Sequence, residues 1–326
     1  MPRQGITSFT VNPNASPPDV VTQAWVNDIL ELGPARTGPL LLRANVTADR
    51  ANAVPLESYQ QAFALYARNG IEPHALFTSE FDRLDSGIGH PNDPLPEALN
   101  NPYIDDFSYR ATDFAIRLRP YGLKNYFIWN EPNDSSSLNY LPDGARFAAL
   151  LYQSYTRIKA HVPDAGVSMG GLLWPNGPLT PAGATQHVAQ YLSGVYAYLR
   201  EQAAGIPWDA VNVHVHHCDF AERDMVELRN AIDGVFAPED RRPVFVGEWG
   251  LTHAEADREG CTLRAFAYLR SHFDAMWYFQ HPTLFTPDAC EGDDWGTTRW
   301  SEPTGQFLPG PHCPIWEQLH CLYRLP

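Results

Sequence analysis

Tyr126-Phe127-Ile128-Trp129-Asn130-Glu131-Pro132-Asn133 opens as an uninterrupted apolar run and ends on an amide, a carboxylate and a proline. Bulky apolar residues in succession read as a strand buried on both faces, as in a parallel sheet covered by helices. Outward from this stretch the same unit recurs. Val244-Phe245-Val246-Gly247-Glu248-Trp249-Gly250 is a second apolar run that ends on a Glu. Further runs at 6–11, 40–46, 74–77, 167–173, 211–216 and 276–279 join 126–129 and 244–247 to give eight predicted strands. Between them lie helix-period segments. Phe147, Leu150, Leu151, Tyr155, Ile158 and Val162 share one face of one, and Val21, Trp25 and Ile29 one face of another. Gly33, Gly70, Gly122 and Gly166 stand where such helices should stop. Strand–helix–strand alternation forces right-handed parallel crossovers, and eight of them suit closure into a ring. The expected fold is α/β, a single (β/α)8 TIM barrel over residues 1–326. An open doubly wound sheet would want a Gly-rich phosphate turn after the first strand, and none follows it. Gly170-Gly171 lacks the rest of any phosphate-binding pattern.

Composition narrows the class. The chain has 326 residues, 44% hydrophobic and 12% aromatic, which is ample for a large core and excludes a disordered or fibrous protein. Its formal net charge is −15, its only lysines are Lys124 and Lys159, and no basic run occurs, so a nucleic acid backbone is not an expected partner. No run approaches the roughly 18 apolar residues of a membrane span. The opening Met1-Pro2-Arg3-Gln4 lacks the features of a secretory signal, so a cytoplasmic protein, or one secreted with its signal removed, is expected. Cys218, Cys261, Cys290, Cys313 and Cys321 are too few for a disulfide scaffold. One or two bridges near the C-terminus and buried free thiols are equally compatible with their spacing.

In such a barrel, chemistry is expected at the carboxyl ends of the strands. Reading those ends gives Arg43, Glu80, Asn130-Glu131, Trp174, His214 and His216, and Glu248-Trp249. Glu131 and Glu248 stand out, because a carboxylate that ends an apolar strand is costly unless it has a partner or a task. Strands four and seven lie nearly opposite each other, so these two side chains can converge across the mouth.

The block Trp129-Asn130-Glu131-Pro132-Asn133, with Glu248 ending strand seven and Arg43 ending strand two, resembles the retaining glycoside hydrolases of clan A, particularly families 5 and 39. The resemblance implies Glu131 as acid/base, Glu248 as nucleophile and Arg43 as the cation that holds the nucleophile. It implies Asn130 as a contact to the sugar 2-hydroxyl and Trp277 as the floor of the subsite at the cleaved bond. His214-Val215-His216 falls where these families show His-x-Tyr, so a histidine stands where a tyrosine is usual. Trp174 and Trp249 join Trp277 as candidate stacking faces for sugar rings.

Two carboxylates suit this chemistry. One must deliver a proton to the leaving oxygen, while the other places negative charge beneath a developing oxocarbenium centre. The expected geometry is a carboxyl separation of about 5–5.5 Å, with Arg43 on Glu248 and no cation on Glu131. The expected activity is therefore retaining hydrolysis of β-glycosidic bonds in a glycoside, oligosaccharide or polysaccharide, with no cofactor and no metal. Two readings compete. One is a barrel that binds carbohydrate without cleaving it. The other is a metal-dependent barrel hydrolase that uses His214 and His216, although the first strand offers no ligand. Glu80 and Asp82 read as solvated carboxylates or subsite residues.

Overall fold

The computed structural model describes residues 3–7, 11–12, 19–31, 39–46, 55–78, 88–137, 139–174, 179–216, 220–250, 257–278, 298–300, 309–312 and 314–323. Its frame is a ring of parallel strands, β1 (Arg3–Thr7), β2 (Leu41–Val46), β3 (Glu72–Phe77), β4 (Asn125–Ile128), β5 (Gly166–Met169 and Leu172–Trp174), β6 (Val211–Val215), β7 (Val244–Trp249) and β8 (Ala275–Tyr278). Each pairs with its neighbour in chain order, and β8 pairs with β1. Expectation and structure differ at two strands. The first begins at Arg3, earlier than 6–11, and the fifth is broken at Gly170-Gly171.

That break does not open the ring. The first piece of β5 pairs with β4 and the second with β6. A parallel bridge between Ser168 and Ala210 ties the first piece to the chain entering β6, reinforced by the Asp209 amide donating to Val167 O at 2.7 Å. The fold is a (β/α)8 TIM barrel.

Helices α1 (Gln23–Glu31), α2 (Leu56–Arg68), α3 (Pro102–Leu118), α4 (Gly144–His161), α5 (Pro181–Glu201), α6 (Glu222–Val235), α7 (Arg258–His272) and α8 (Pro314–Tyr323) surround the strands, each against the next. Their starts follow the sequence. Asn101, Asp143 and Thr180 cap α3, α4 and α5 by accepting amide protons of the first turn. Gly122 ends the connection to β4 with φ +95°, where a side chain would also overlap Ala67.

Strand alternation divides the interior into two compartments. Residues such as Tyr126, Ile128, Val213, Val246 and Met276 face the helices. Leu41, Leu76, Phe127, Ala275 and Trp277, with Phe245, fill the barrel itself. Below that plug, at the amino ends of the strands, Glu72 accepts from Arg3, His74 and Asn125. Among the described residues no helix is long and apolar enough to cross a membrane. Cys261 is disulfide-bonded and Cys321 is free and exposed, whereas Cys218, Cys290 and Cys313 lie outside the described residues.

Candidate active site

Glu248 reaches the barrel interior through an irregularity. Phe245 faces inward and Val246 outward, so strict alternation would turn Glu248 towards the helices. The pairing of β7 with β6 instead slips between Val246 and Glu248, as at a bulge. The Gly247 amide donates to Asn212 Oδ1 at 2.7 Å, and a Cβ on Gly247 would lie 2.5 Å from both Asn212 amide atoms. The slip turns Glu248 inward, opposite His214.

Glu131 arrives by a different device. Trp129 adopts φ +72° and Glu131 φ +45°, conformations costly for bulky and charged side chains. The first sends the Trp129 ring outward, where its indole donates to Asn139 O at 2.7 Å and packs edge-on against Phe107. The second is held by the Glu131 amide donating to Gly171 O at 2.9 Å. Asn133 fastens the following turn, its carboxamide both donating to Leu173 O and accepting from Leu173 N.

These devices bring Arg43, Glu131, His214, His216 and Glu248 together. Arg43 is buried and ion-paired to Glu248. Its Nη1 lies 3.3 Å from Nε2 of the fully buried His214. A guanidinium only donates, so Nε2 accepts and the ring proton resides on Nδ1. Nδ1 then donates to Glu131 Oε1 at 2.8 Å. His216 Nε2 stands 3.3 Å from Glu248 and 3.9 Å from Glu131.

The electrostatics differ across the pair. Burial pushes the Glu131 carboxyl up and Asp134 adds to this, while His216 and Arg43 pull against it. Burial, then the charge on Arg43, holds His214 well below the usual imidazole range, so it is neutral. Burial lowers Arg43 to about 9, which leaves it charged at neutral pH. Glu131 thus has a neutral partner at hydrogen-bonding distance, whereas Glu248 has a cation.

Oxygens of both Glu residues and nitrogens of both His residues all lie within 4.8 Å of one another, a constellation that could in principle chelate an ion. The tautomer argues against it. A metal on His214 Nδ1 would move the ring proton to Nε2, pointing a donor at the donor Arg43 and placing two cations side by side.

The three tryptophans expected as sugar platforms do not open on the mouth. Trp277 is 0% exposed, wedged among His74, Phe127 and Phe245 inside the barrel. Trp249 and Trp174 are 1% and 2% exposed and face the helices, against Phe266 and Phe220. For Trp249 the reason is alternation, since its neighbour Glu248 takes the inward place. Asn130 immediately precedes Glu131 after β4, its Oδ1 buried with no hydrogen-bond partner among the described residues. Glu80 and Asp82 lie outside the described residues. Residues that the sequence reading missed are Gly171, Asn212, Asn133 and Gly247. Their only sequence signal is glycine or asparagine within or just beyond a strand, the mark of a bulge or close approach.

No protein-family model matches the chain, and no curated protein matches it. Solved structures do. A family 39 glycoside hydrolase from Bacteroides cellulosilyticus WH2 superposes with TM-score 0.65 at 15% identity, over 99% of this chain and 63% of that one. The endo-1,4-β-D-mannanase of Thermotoga petrophila RKU-1 gives 0.64 at 13% identity, covering both chains fully. A family 39 β-xylosidase from Caulobacter crescentus gives 0.62 at 17% identity, over 99% and 71%. The chain shares their fold. It spans about two thirds of the length of the two family 39 chains.

Proposed function

We propose that this chain is a retaining glycosidase that cleaves β-glycosidic bonds by double displacement, with its whole length acting as one catalytic unit. The observation that carries this reading is the unequal pair of carboxylates: Glu248 is bound to a buried Arg43, and Glu131 accepts from a neutral His214. Their oxygens lie within 4.8 Å of each other. Retention goes with carboxyl groups about 5–5.5 Å apart, whereas inversion needs about 6.5–9.5 Å to admit a water.

In the first step ionised Glu248 attacks the anomeric carbon while Glu131 protonates the departing oxygen. Arg43 keeps Glu248 charged by a charge-assisted hydrogen bond. Esterification of Glu248 removes its negative charge, the pKa of Glu131 falls, and Glu131 then accepts a proton from the attacking water. Asn130 Oδ1 accepts from the sugar 2-hydroxyl. The substrate is a β-linked glycoside, oligosaccharide or polysaccharide, in line with the β-xylosidase and β-mannanase that share the fold.

The test is turnover on a panel of nitrophenyl β-glycosides and soluble polysaccharides, with proton NMR of the earliest product. The β-anomer appears first. An initial α-anomer would sink double displacement, and binding without turnover would favour a carbohydrate-binding barrel.

A further inference from the structure

We propose that Gly171 is a positioning residue of the acid/base machinery, its missing side chain forming the slot for His214 and its carbonyl fixing the backbone of Glu131. The proposal rests on the reading of Glu131 as acid/base.

Gly171 lies in the gap between the two pieces of β5, and two contacts leave it towards the acid. Its oxygen accepts from the Glu131 amide at 2.9 Å, anchoring a residue whose φ of +45° needs a hold. On the other side, a Cβ would fall inside the imidazole of His214, 2.6 Å from Cε1 and nearer still to Nε2 and Cδ2. His214 cannot retreat without loss, because Nε2 accepts from Arg43 at 3.3 Å and Nδ1 donates to Glu131 at 2.8 Å. The ring is wholly buried, so no solvent-facing position is open to it. Gly171 is not among the residues with positive φ, so an alanine backbone is allowed there. The requirement is for space alone. One absent methyl thus aims the carboxyl of the proton donor through His214, while the same residue's carbonyl aims its main chain.

This predicts a specific failure. An alanine at this position should displace His214, free the Glu131 carboxyl from its donor and impair proton delivery, leaving attack by Glu248 less affected. Gly171→Ala, His214→Ala and the double variant are compared in the full chain by melting temperature and by kcat/KM on aryl β-glycosides. Gly171→Ala lowers kcat/KM on the order of 10²-fold for phenyl glycosides but only a few-fold for dinitrophenyl glycosides, which need little protonation. It also lowers the melting temperature by several degrees. In the His214→Ala background, adding Gly171→Ala changes neither quantity further, because the overlap is already relieved.

Effects that multiply in the double variant would overturn the slot, as would a double variant that fails to fold while His214→Ala folds. Equal losses on both classes of leaving group would reduce the glycine to general scaffolding. A wild-type chain inert towards every glycoside would instead refute the underlying glycosidase reading. In that case the melting-temperature cycle still decides the slot.

Discussion

A single buried carboxyl carries the sharpest consequences. Glu131 is held above the usual carboxylate range by burial, then by Asp134. Its folded pKa exceeds the unfolded value of about 4.3, so its contribution to stability is fully present below about pH 4.3. That contribution is lost as pH rises through the folded value. Glu131→Gln keeps an acceptor for His214 and has no charge to lose. The variant should melt like wild type at pH 4 and above it at pH 7, while turnover of poor leaving groups falls by about 10²–10⁴-fold. Calorimetry at the two pH values checks the first half, and an equal or lower melting temperature at pH 7 would contradict it. His216 supplies a second prediction. As an imidazolium, 3.3 Å from Glu248 and 3.9 Å from Glu131, it would stabilise both as anions and draw the proton off Glu131. Among the described residues the charged or titratable groups that share the site with it are Arg43, His214 and these two carboxylates. His216→Gln should move the acid limb of kcat/KM to higher pH, because Glu248 loses a cation that favours its anion, with less than about a tenfold change at the optimum. An unmoved limb would relieve His216 of this role.

At the scale of elements, the bulge in β7 decides which side chain enters the site. Gly247 has Asn212 at 2.5 Å from the place of a Cβ, and Asn212 is fully buried on the neighbouring strand. Gly247→Ala should therefore force β6 and β7 apart or restore regular pairing, at a cost of about 1–3 kcal/mol. Because regular pairing turns Glu248 outward, activity should fall much further than stability, as denaturant melts run beside kinetics would record. The same bulge marks the limit of what the sequence discloses. Apolar runs at β2 to β8 made the strands and their order readable, and the terminal Glu of two runs pointed to the candidate site where these carboxyls meet. Period-two alternation is legible only while it is unbroken. The left-handed φ at Trp129 and the slip at Gly247 depend on hydrogen bonds to Phe77, Asn212 and Asn139 from distant segments. Trp249, next to Glu248, therefore looked like a sugar platform but packs against a helix. Had alternation been applied at Glu248 itself, Trp249 could have been assigned to the helix side from sequence.

Across the whole barrel, buried titratable groups occupy both ends of the strand ring. His214 at the mouth and His74 at the amino end of the ring, against Phe127 and Trp277, are each held below the ordinary imidazole range, chiefly by burial. Glu72 beneath them behaves oppositely. Burial alone would raise it, but bonds from His74 and Arg3 outweigh burial and draw it to about 2. For the histidines, the unfolded chain binds protons that the folded one refuses, so unfolding free energy rises with pH. Their contribution is complete above the unfolded value of about 6.5 and declines as pH falls towards their lower folded values. Each can remove up to about 1.4 kcal/mol per pH unit in that window. Glu72 contributes above about pH 4.3, and its share disappears between there and pH 2. Acid should therefore weaken the barrel in two stages, histidines first and Glu72 second. Urea melts at pH steps from 8 to 3 resolve them. Glu72→Gln should cost on the order of 2 kcal/mol at pH 7, discounted for partial solvent access, and this deficit should shrink below about pH 4. His74→Phe should flatten the slope between pH 6.5 and 5 and, by removing one donor to Glu72, shrink the later stage as well. A profile that stays flat from pH 7 to 5 in the Glu131→Gln chain, where the opposing slope of that carboxyl is gone, would mean that the two imidazoles are not kept neutral by the fold, and the assignment of His214 as a neutral donor to Glu131 would fail with it.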